Sequence, residues 1–147
     1  MIVNAPDAAA LAALGERIGR RCFSGAVLLL DGDLGAGKTT FTQGLARGLG
    51  TASPVLSPTY AIVHEHPEGR LPLYHADVYR IEDETELLPA GITERVGEDG
   101  VWVIEWASRF PGAWPTGRLE VTLGVTPDGR RVELCATDAA HEALLAD

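Results

Sequence analysis

The residues whose types and spacing point most directly to chemistry are Gly32-Asp33-Leu34-Gly35-Ala36-Gly37-Lys38-Thr39. The pattern Gly-x4-Gly-Lys-Thr puts small residues where a backbone must curl around a polyphosphate, so that successive N–H groups point inward and form an anion nest at a helix N-terminus. Bulky side chains would block that approach. Lys38 is placed to reach the terminal phosphates as a point charge, and the Thr39 hydroxyl to ligate Mg²⁺. Asp33, Gly35, Ala36, Gly37 and Thr40 complete the set expected against the phosphates. Lys38 is the only lysine in the chain, which makes its place in this loop harder to ascribe to chance. A dinucleotide fingerprint would end differently, so the loop suits a nucleoside triphosphate.

The flanking elements must present that loop. Ala26 to Asp31 is an almost wholly apolar run, as expected of a parallel strand buried on both faces. After the loop, Phe41, Leu45 and Leu49 recur at helical spacing, and Gly48 with Gly50 marks the helix end. Upstream, Asp7 is placed to cap an amphipathic helix that carries Leu11, Leu14 and Ile18 and ends near Cys22.

Downstream, Ser57-Pro58-Thr59-Tyr60 closes a Ser/Thr/Pro-rich loop. Thr59 is either part of an ordinary turn or a hydroxyl that closes on a γ-phosphate or Mg²⁺ and reopens after hydrolysis. Tyr60 to Glu65 and Leu71 to Tyr79 read as strands of an antiparallel hairpin about the turn His66 to Arg70. His64 and His66 fall on one face of the first strand. With no third ligand in sight, a solvated edge is a better reading than a metal site.

In the second strand His75, Asp77 and Tyr79 share a face, from which Asp77 could accept a water of a Mg²⁺ shell. Val101 to Glu105 is a third apolar strand and ends in a carboxylate. An apolar strand ending in an acid, downstream of a phosphate loop, has the form of a Walker B element, whose acid ligates Mg²⁺ or orients the attacking water. Glu105 is the better candidate on pattern, with Asp77 as a second contact; which ligates metal and which orients water stays open. Trp106 beside Glu105 is either core packing or a contact to a base or partner.

Asp83 to Leu88 and Ile92 to Val96 read as short helices, Arg109 to Gly117 as a loop, and Leu119 to Val125 with Arg131 to Ala136 as a hairpin. Asp138 is placed to cap a last helix from Ala139 to Ala146. The expected architecture is therefore α/β: a three-layer P-loop NTPase-like fold, its mixed, mostly parallel central sheet flanked by helices, with an antiparallel hairpin near the C-terminus. The 147 residues, 46% apolar and 22% charged, suit one domain spanning residues 1–147.

No apolar run approaches the ~20 residues needed to cross a bilayer, and the start lacks the pattern of a secretory signal, so no membrane and a cytoplasmic location are expected. Cys22 and Cys135 read as reduced thiols. The net charge of −9 argues against autonomous binding to nucleic acid; any RNA or DNA in its pathway would be held by a partner.

A GTPase would carry Asp-x-x-Gly after the phosphate loop and Asn-Lys-x-Asp to read guanine, and the sequence has neither. A small-molecule kinase needs arginine-rich lids to clamp its second substrate; the surroundings of Arg80 and Arg109 are sparse, although Arg80 near Asp77 keeps that alternative open. The third class is an ATPase that acts through a partner. Here the motifs carry a resemblance. The phosphate loop with Thr40, Ser57-Pro58-Thr59-Tyr60, Leu73-Tyr74-His75-Ala76-Asp77-Val78-Tyr79-Arg80 and Ile104-Glu105-Trp106, in that order, resemble the TsaE (formerly YjeE) family over about residues 7–125.

The resemblance implies the ATPase of the bacterial machinery that makes N6-threonylcarbamoyladenosine in tRNAs reading ANN codons. It further implies TsaD and TsaB as partners, tRNA contact only through that complex, and weak hydrolysis by the protein alone, stimulated by those partners. It implies ATP and Mg²⁺ held by Gly35, Gly37, Lys38, Thr39 and Thr40, with Thr59 in a mobile loop, Asp77 in the Mg²⁺ and hydrolysis site and Glu105 at the Walker B position. Tyr79, Arg80 and Trp106 would be functional neighbours. Tyr60 stands where the family often has Phe, which keeps the ring. Ala107 stands where it often has Pro, which loosens the turn beside Trp106.

Overall fold

Ala26 to Leu30 are buried at every position, because this strand lies in the middle of a sheet with apolar packing on both sides. The structure, a computed structural model, describes residues 1–52, 54–56 and 62–146. Its seven strands are β1 (Ile2–Ala5), β2 (Ala26–Gly32), β3 (Val63–His66), β4 (Leu73–Asp77), β5 (Val101–Glu105), β6 (Leu119–Thr126) and β7 (Gly129–Ala136). They form one sheet in the order β1-β7-β6-β2-β5-β4-β3. The four central strands β6, β2, β5 and β4 are mutually parallel, and β3–β4, β6–β7 and β1–β7 pair antiparallel. The mixed, mostly parallel sheet and both hairpins thus match the sequence expectation.

Side-chain alternation divides β2 between two cores. Ala26, Leu28 and Leu30 face α1 (Ala8–Arg21) and α2 (Lys38–Leu49), while Val27 and Leu29 face Trp102, Ile104, Ile92, Leu87, Phe110 and Trp114. Only the first face is covered by long helices. The second is covered by the turn-rich chain from 78 to 115, where the helices expected at 83–88 and 92–96 reduce to a 3₁₀ turn, Glu84–Glu86, and to irregular turns. Pro89 and the left-handed Gly91 (φ 77°) interrupt any helix there, and burial of Leu87, Ile92 and Val96 holds the segment in its place.

The helices α1 and α2 cross through glycine. A methyl group on Gly15 or Gly19 would overlap the carbonyl of Phe41 or Leu45, and one on Gly44 or Gly48 the carbonyl of Ala12 or Glu16. Each helical glycine costs about 0.5–1 kcal/mol against alanine, which the close backbone packing offsets. Gly48 therefore serves the crossing, and Gly50 alone, left-handed at φ 77°, ends α2.

The helix caps follow the sequence: Asp7 Oδ1 accepts from Ala10 N at 2.8 Å, and Asp138 Oδ1 from His141 N at 2.8 Å. The last helix is shorter than expected, α3 (Ala139–Glu142) passing into a 3₁₀ turn at Ala143–Leu145. Strand β1 had no sequence signal; it is an edge strand whose register against β7 comes from tertiary pairing. His66, expected on a solvated edge, is buried at the end of β3, where the following turn folds back on α2 and Arg70 N donates to Leu49 O at 2.7 Å. Both cysteines are free; burial pushes the Cys22 thiol up to about 12. Among the described residues no helix is long and apolar enough to cross a membrane.

Candidate functional site

The parallel order of β4, β5 and β2 brings their carboxyl ends to one rim, and in an open α/β sheet that rim is where loops form clefts. The loop after β2 curls through Gly35 (φ 80°) and Gly37 (φ 106°), left-handed conformations that only glycine adopts without strain, and Gly37 is the N-cap of α2. No side chain caps α2, so the N–H groups of its first turn are left for a ligand and, with the helix dipole, favour an anion.

Arg130, at the start of β7, clamps the loop from outside. Its Nε donates to Ala36 O at 3.0 Å and its Nη2 to Gly35 O at 3.1 Å. In a planar trans peptide the N–H points opposite the carbonyl, so fixing Ala36 O toward Arg130 aims the Gly37 N–H away from it. Sequence reasoning missed Arg130: it lies 94 residues from Ala36, and nothing in its neighbourhood marks it.

Lys38 is nearly buried. Its Nζ donates to Gly32 O and, at 3.3 Å, to Asp33 O, and it lies 3.8 Å from the centroid of the Trp106 ring. Burial lowers its pKa from the ordinary lysine value; Glu105, Asp77, Asp31 and Asp33 oppose that shift. Asp33 thus takes part through its carbonyl, and Ala36 is packed into the core, so both serve the loop by their backbones.

Asp77 and Glu105 are register partners on adjacent parallel strands. Together with Gly35, Gly37, Lys38, Thr39, Thr40 and Trp106 they line one pocket. Burial raises the Asp77 pKa above the ordinary carboxylate value; the Tyr79 N–H, which donates to Asp77 Oδ1 at 2.8 Å, pulls it back, and the Glu105 charge pushes it up. Glu105 is buried, with Oε2 hydrogen-bonded to Nε2 of the fully buried His75.

Trp106 is the only non-glycine residue with positive φ (64°) among those described. Several bonds hold this conformation in place. Trp106 N donates to Leu30 O at 3.0 Å, and Ser108 gives Asp31 Oδ1 two hydrogen bonds, 3.1 Å from N and 2.8 Å from Oγ. Trp114 Nε1 donates to Ala107 O at 2.8 Å. The turn that Ala107 was expected to loosen is therefore tied down, and Ala107 itself is buried.

The Tyr79 ring packs against Trp106 at a tilt of 46° with centroids 4.8 Å apart, and the Arg109 guanidinium lies 5.9 Å from the Tyr79 ring. Arg80 is exposed and does not line the pocket. Thr59, with the whole Ser57-Pro58-Thr59-Tyr60 motif, lies outside the described residues.

The pocket joins an anion nest and a lysine with two threonines and two carboxylates. Those oxygen donors suit a hard divalent cation that takes its remaining ligands from phosphates and water, which is how Mg²⁺ is usually bound. The arrangement can thus hold a polyphosphate with its counter-cation and place a carboxylate beside an attacking water.

Comparison with known proteins returns a family consistent with this geometry. Residues 5–132 match the model of "Threonylcarbamoyl adenosine biosynthesis protein TsaE". The tRNA threonylcarbamoyladenosine biosynthesis protein TsaE of Bacillus subtilis is 45% identical over 143 residues, 97% of this chain and 87% of that protein. The protein of the same name from a Nostoc species is 42% identical over 123 residues, 80% of this chain and 74% of its own length. The crystal structure of Bacillus subtilis YdiB superposes with a TM-score of 0.84 at 34% identity, covering 99% of this chain and 90% of that one.

Proposed function

The chain belongs to the TsaE family, and from that premise we propose that it is the Mg²⁺-dependent ATPase of the bacterial machinery that makes N6-threonylcarbamoyladenosine in tRNA. It works in the cytoplasm as a single P-loop domain with TsaB and TsaD, reaches tRNA only through them, and supports their repeated turnover. The observation that carries this reading is the pairing of Asp77 with Glu105 at the rim of the sheet, across one pocket from Lys38 and Thr39. A phosphate loop alone would be compatible with many activities; a loop facing two carboxylates on adjacent strands adds oxygen donors for a cation and a group able to orient an attacking water.

Thr39, Asp77 and Glu105 are the residues that would hold Mg²⁺, all of them oxygen donors. Bound there, the ion would supply neutralisation of charge on the β- and γ-phosphates. The loop N–H groups bind and orient the triphosphate. Lys38 exchanges its carbonyl partners Gly32 and Asp33 for phosphate oxygens and stabilises the charge that gathers on them in the transition state. One of the two carboxylates orients the water. Thr59 and its loop close over the γ-phosphate and reopen after hydrolysis, and that motion is what the TsaB–TsaD pair responds to. Trp106 lines the pocket beside Lys38 and limits access of bulk water to it, with Tyr79 packed against its ring from outside.

The test is ATP hydrolysis by the purified protein, alone and with TsaB and TsaD, beside a Lys38→Ala variant. Hydrolysis should be weak alone, rise with the partners, and fall at least ~100-fold with Lys38→Ala, as expected when a charge stabilising the transition state is removed. Hydrolysis indifferent to the partners, with the γ-phosphate passing to a small metabolite, would replace this reading with a kinase.

A further inference from the structure

One oxygen of Glu105 is committed before any ligand arrives. His75 lies on β4, in register with Val103 of β5, on the sheet face that also carries Glu105 and Asp77. From there the imidazole reaches forward two residues to the carboxylate at the strand end. Its Nε2 is hydrogen-bonded to Glu105 Oε2, and both side chains are buried, His75 completely. An ionised carboxylate can only accept, so the ring presents its Nε2–H to it. The other ring nitrogen, Nδ1, has no hydrogen-bond partner among the described residues. A buried imidazole with one unpaired nitrogen is a liability to the fold, and an aliphatic side chain of similar volume would fill the same space without it. The bond to Glu105 is the only hydrogen bond this ring makes among the described residues, so its use lies in what that bond does for the carboxylate.

We infer that His75 is a positioning residue for Glu105. By occupying Oε2 it fixes the rotation of the carboxylate, so that Oε1 is the oxygen presented to the pocket, next to Asp77 and facing Lys38 and Thr39. Without it, the glutamate, with three rotatable bonds, would have to be ordered by the incoming cation itself, and that entropy would be lost from cation binding. The inference rests on the reading of this pocket as a metal–nucleotide site and adds to it the group that holds one ligand in place.

The experiment uses the intact chain loaded with ADP and titrated with Mn²⁺, free Mn²⁺ being followed by electron paramagnetic resonance, so that no turnover is needed. His75→Leu fills the space without a donor; His75→Gln offers an amide N–H at about the reach of Nε2. The affinity of each variant for ADP in excess chelator reports whether the fold and the phosphate loop survive. His75→Leu is expected to weaken Mn²⁺ binding about 10–100-fold, the usual effect of removing a group that orients a metal ligand, with His75→Gln recovering to within about fivefold of the parent. Metal-free ADP affinity should stay within about twofold in both, because His75 does not line the pocket.

Equal losses in the two variants, unchanged Mn²⁺ binding in His75→Leu, or a fall in metal-free ADP affinity as large as the fall in Mn²⁺ affinity would each overturn the inference. Failure of the parent protein itself to bind Mn²⁺ with ADP would remove the metal–nucleotide reading beneath it, an outcome separate from those three.

Discussion

Replacing Arg130 with Met should weaken nucleotide binding while leaving the protein folded. The guanidinium is the one side chain that holds the phosphate loop by its outer carbonyls, 3.0 Å to Ala36 O and 3.1 Å to Gly35 O, among the described residues. Hydrogen bonds from a charged donor contribute about 1.5–3 kcal/mol when buried and nearer 0.5–1 kcal/mol when, as here, the donor is partly exposed to water. The pair is then worth about 1–2 kcal/mol toward ordering the loop, and Met keeps most of the side-chain volume. If that order is a precondition for aiming the Gly37 N–H at a phosphate, affinity for ATP should fall about 5–30-fold. Global stability should fall by no more than those ~1–2 kcal/mol, because β6–β7 pairing does not depend on the clamp. Isothermal calorimetry with ATP and Mg²⁺, together with thermal unfolding of the ligand-free protein, reads both quantities. Arg130→Lys, able to reach one carbonyl but not both, should fall between. ATP affinity within twofold of the parent in Arg130→Met would refute the clamp, and so would a lysine variant as weak as the methionine one.

Three further outcomes follow from the geometry. Asp77→Asn should abolish ATP hydrolysis yet raise the melting temperature of the ligand-free protein by up to about 3 °C at pH 7. The folded-state pKa of Asp77 lies above its unfolded value, so its contribution to stability declines as pH rises through that window, and the advantage of Asn should vanish as pH falls toward the ordinary carboxylate value; an Asn variant that melts lower at pH 7 would contradict this. Gly44→Val should push α1 from α2 at the Ala12 carbonyl and destabilise by about 2–3 kcal/mol, a fall of about 4–12 °C in melting temperature, and unchanged melting would show that the crossing has slack. Asp31→Ala removes both bonds to Ser108 and frees the turn that keeps Trp106 left-handed; kcat should drop about 3–10-fold with ATP affinity nearly unchanged, whereas a loss in affinity alone would place Trp106 in ground-state binding instead.

The sequence by itself determined the local pieces of this protein. A glycine-rich loop with a lysine and a threonine between an apolar run and a helical pattern reads as strand, tight glycine turn and helix, which the structure has at β2, Gly35 to Gly37 and α2, because each of those signals acts within a few residues. The caps at Asp7 and Asp138, the two hairpins and the acids ending β4 and β5 were legible for the same reason. Strand alternation even placed His75 and Asp77 on one face.

Only the tertiary structure decided which pieces meet. That Asp77 lies beside Glu105 follows from β4 and β5 being neighbours in register, a choice made by burial of apolar residues on both sheet faces rather than by any residue near the acids. The same holds for His75 against Glu105 and for Arg130 against Gly35 and Ala36. It holds also for β1, which carries no strong pattern of its own, and for the paired glycines where α1 and α2 touch. The left-handed Trp106 belongs to this group as well: its conformation is disfavoured locally and persists because Leu30, Asp31 and Trp114, distant in sequence or across the turn, together hold it. Local periodicity encodes elements, whereas partners are chosen by the shared core, and a site built between elements becomes visible only once that core has formed.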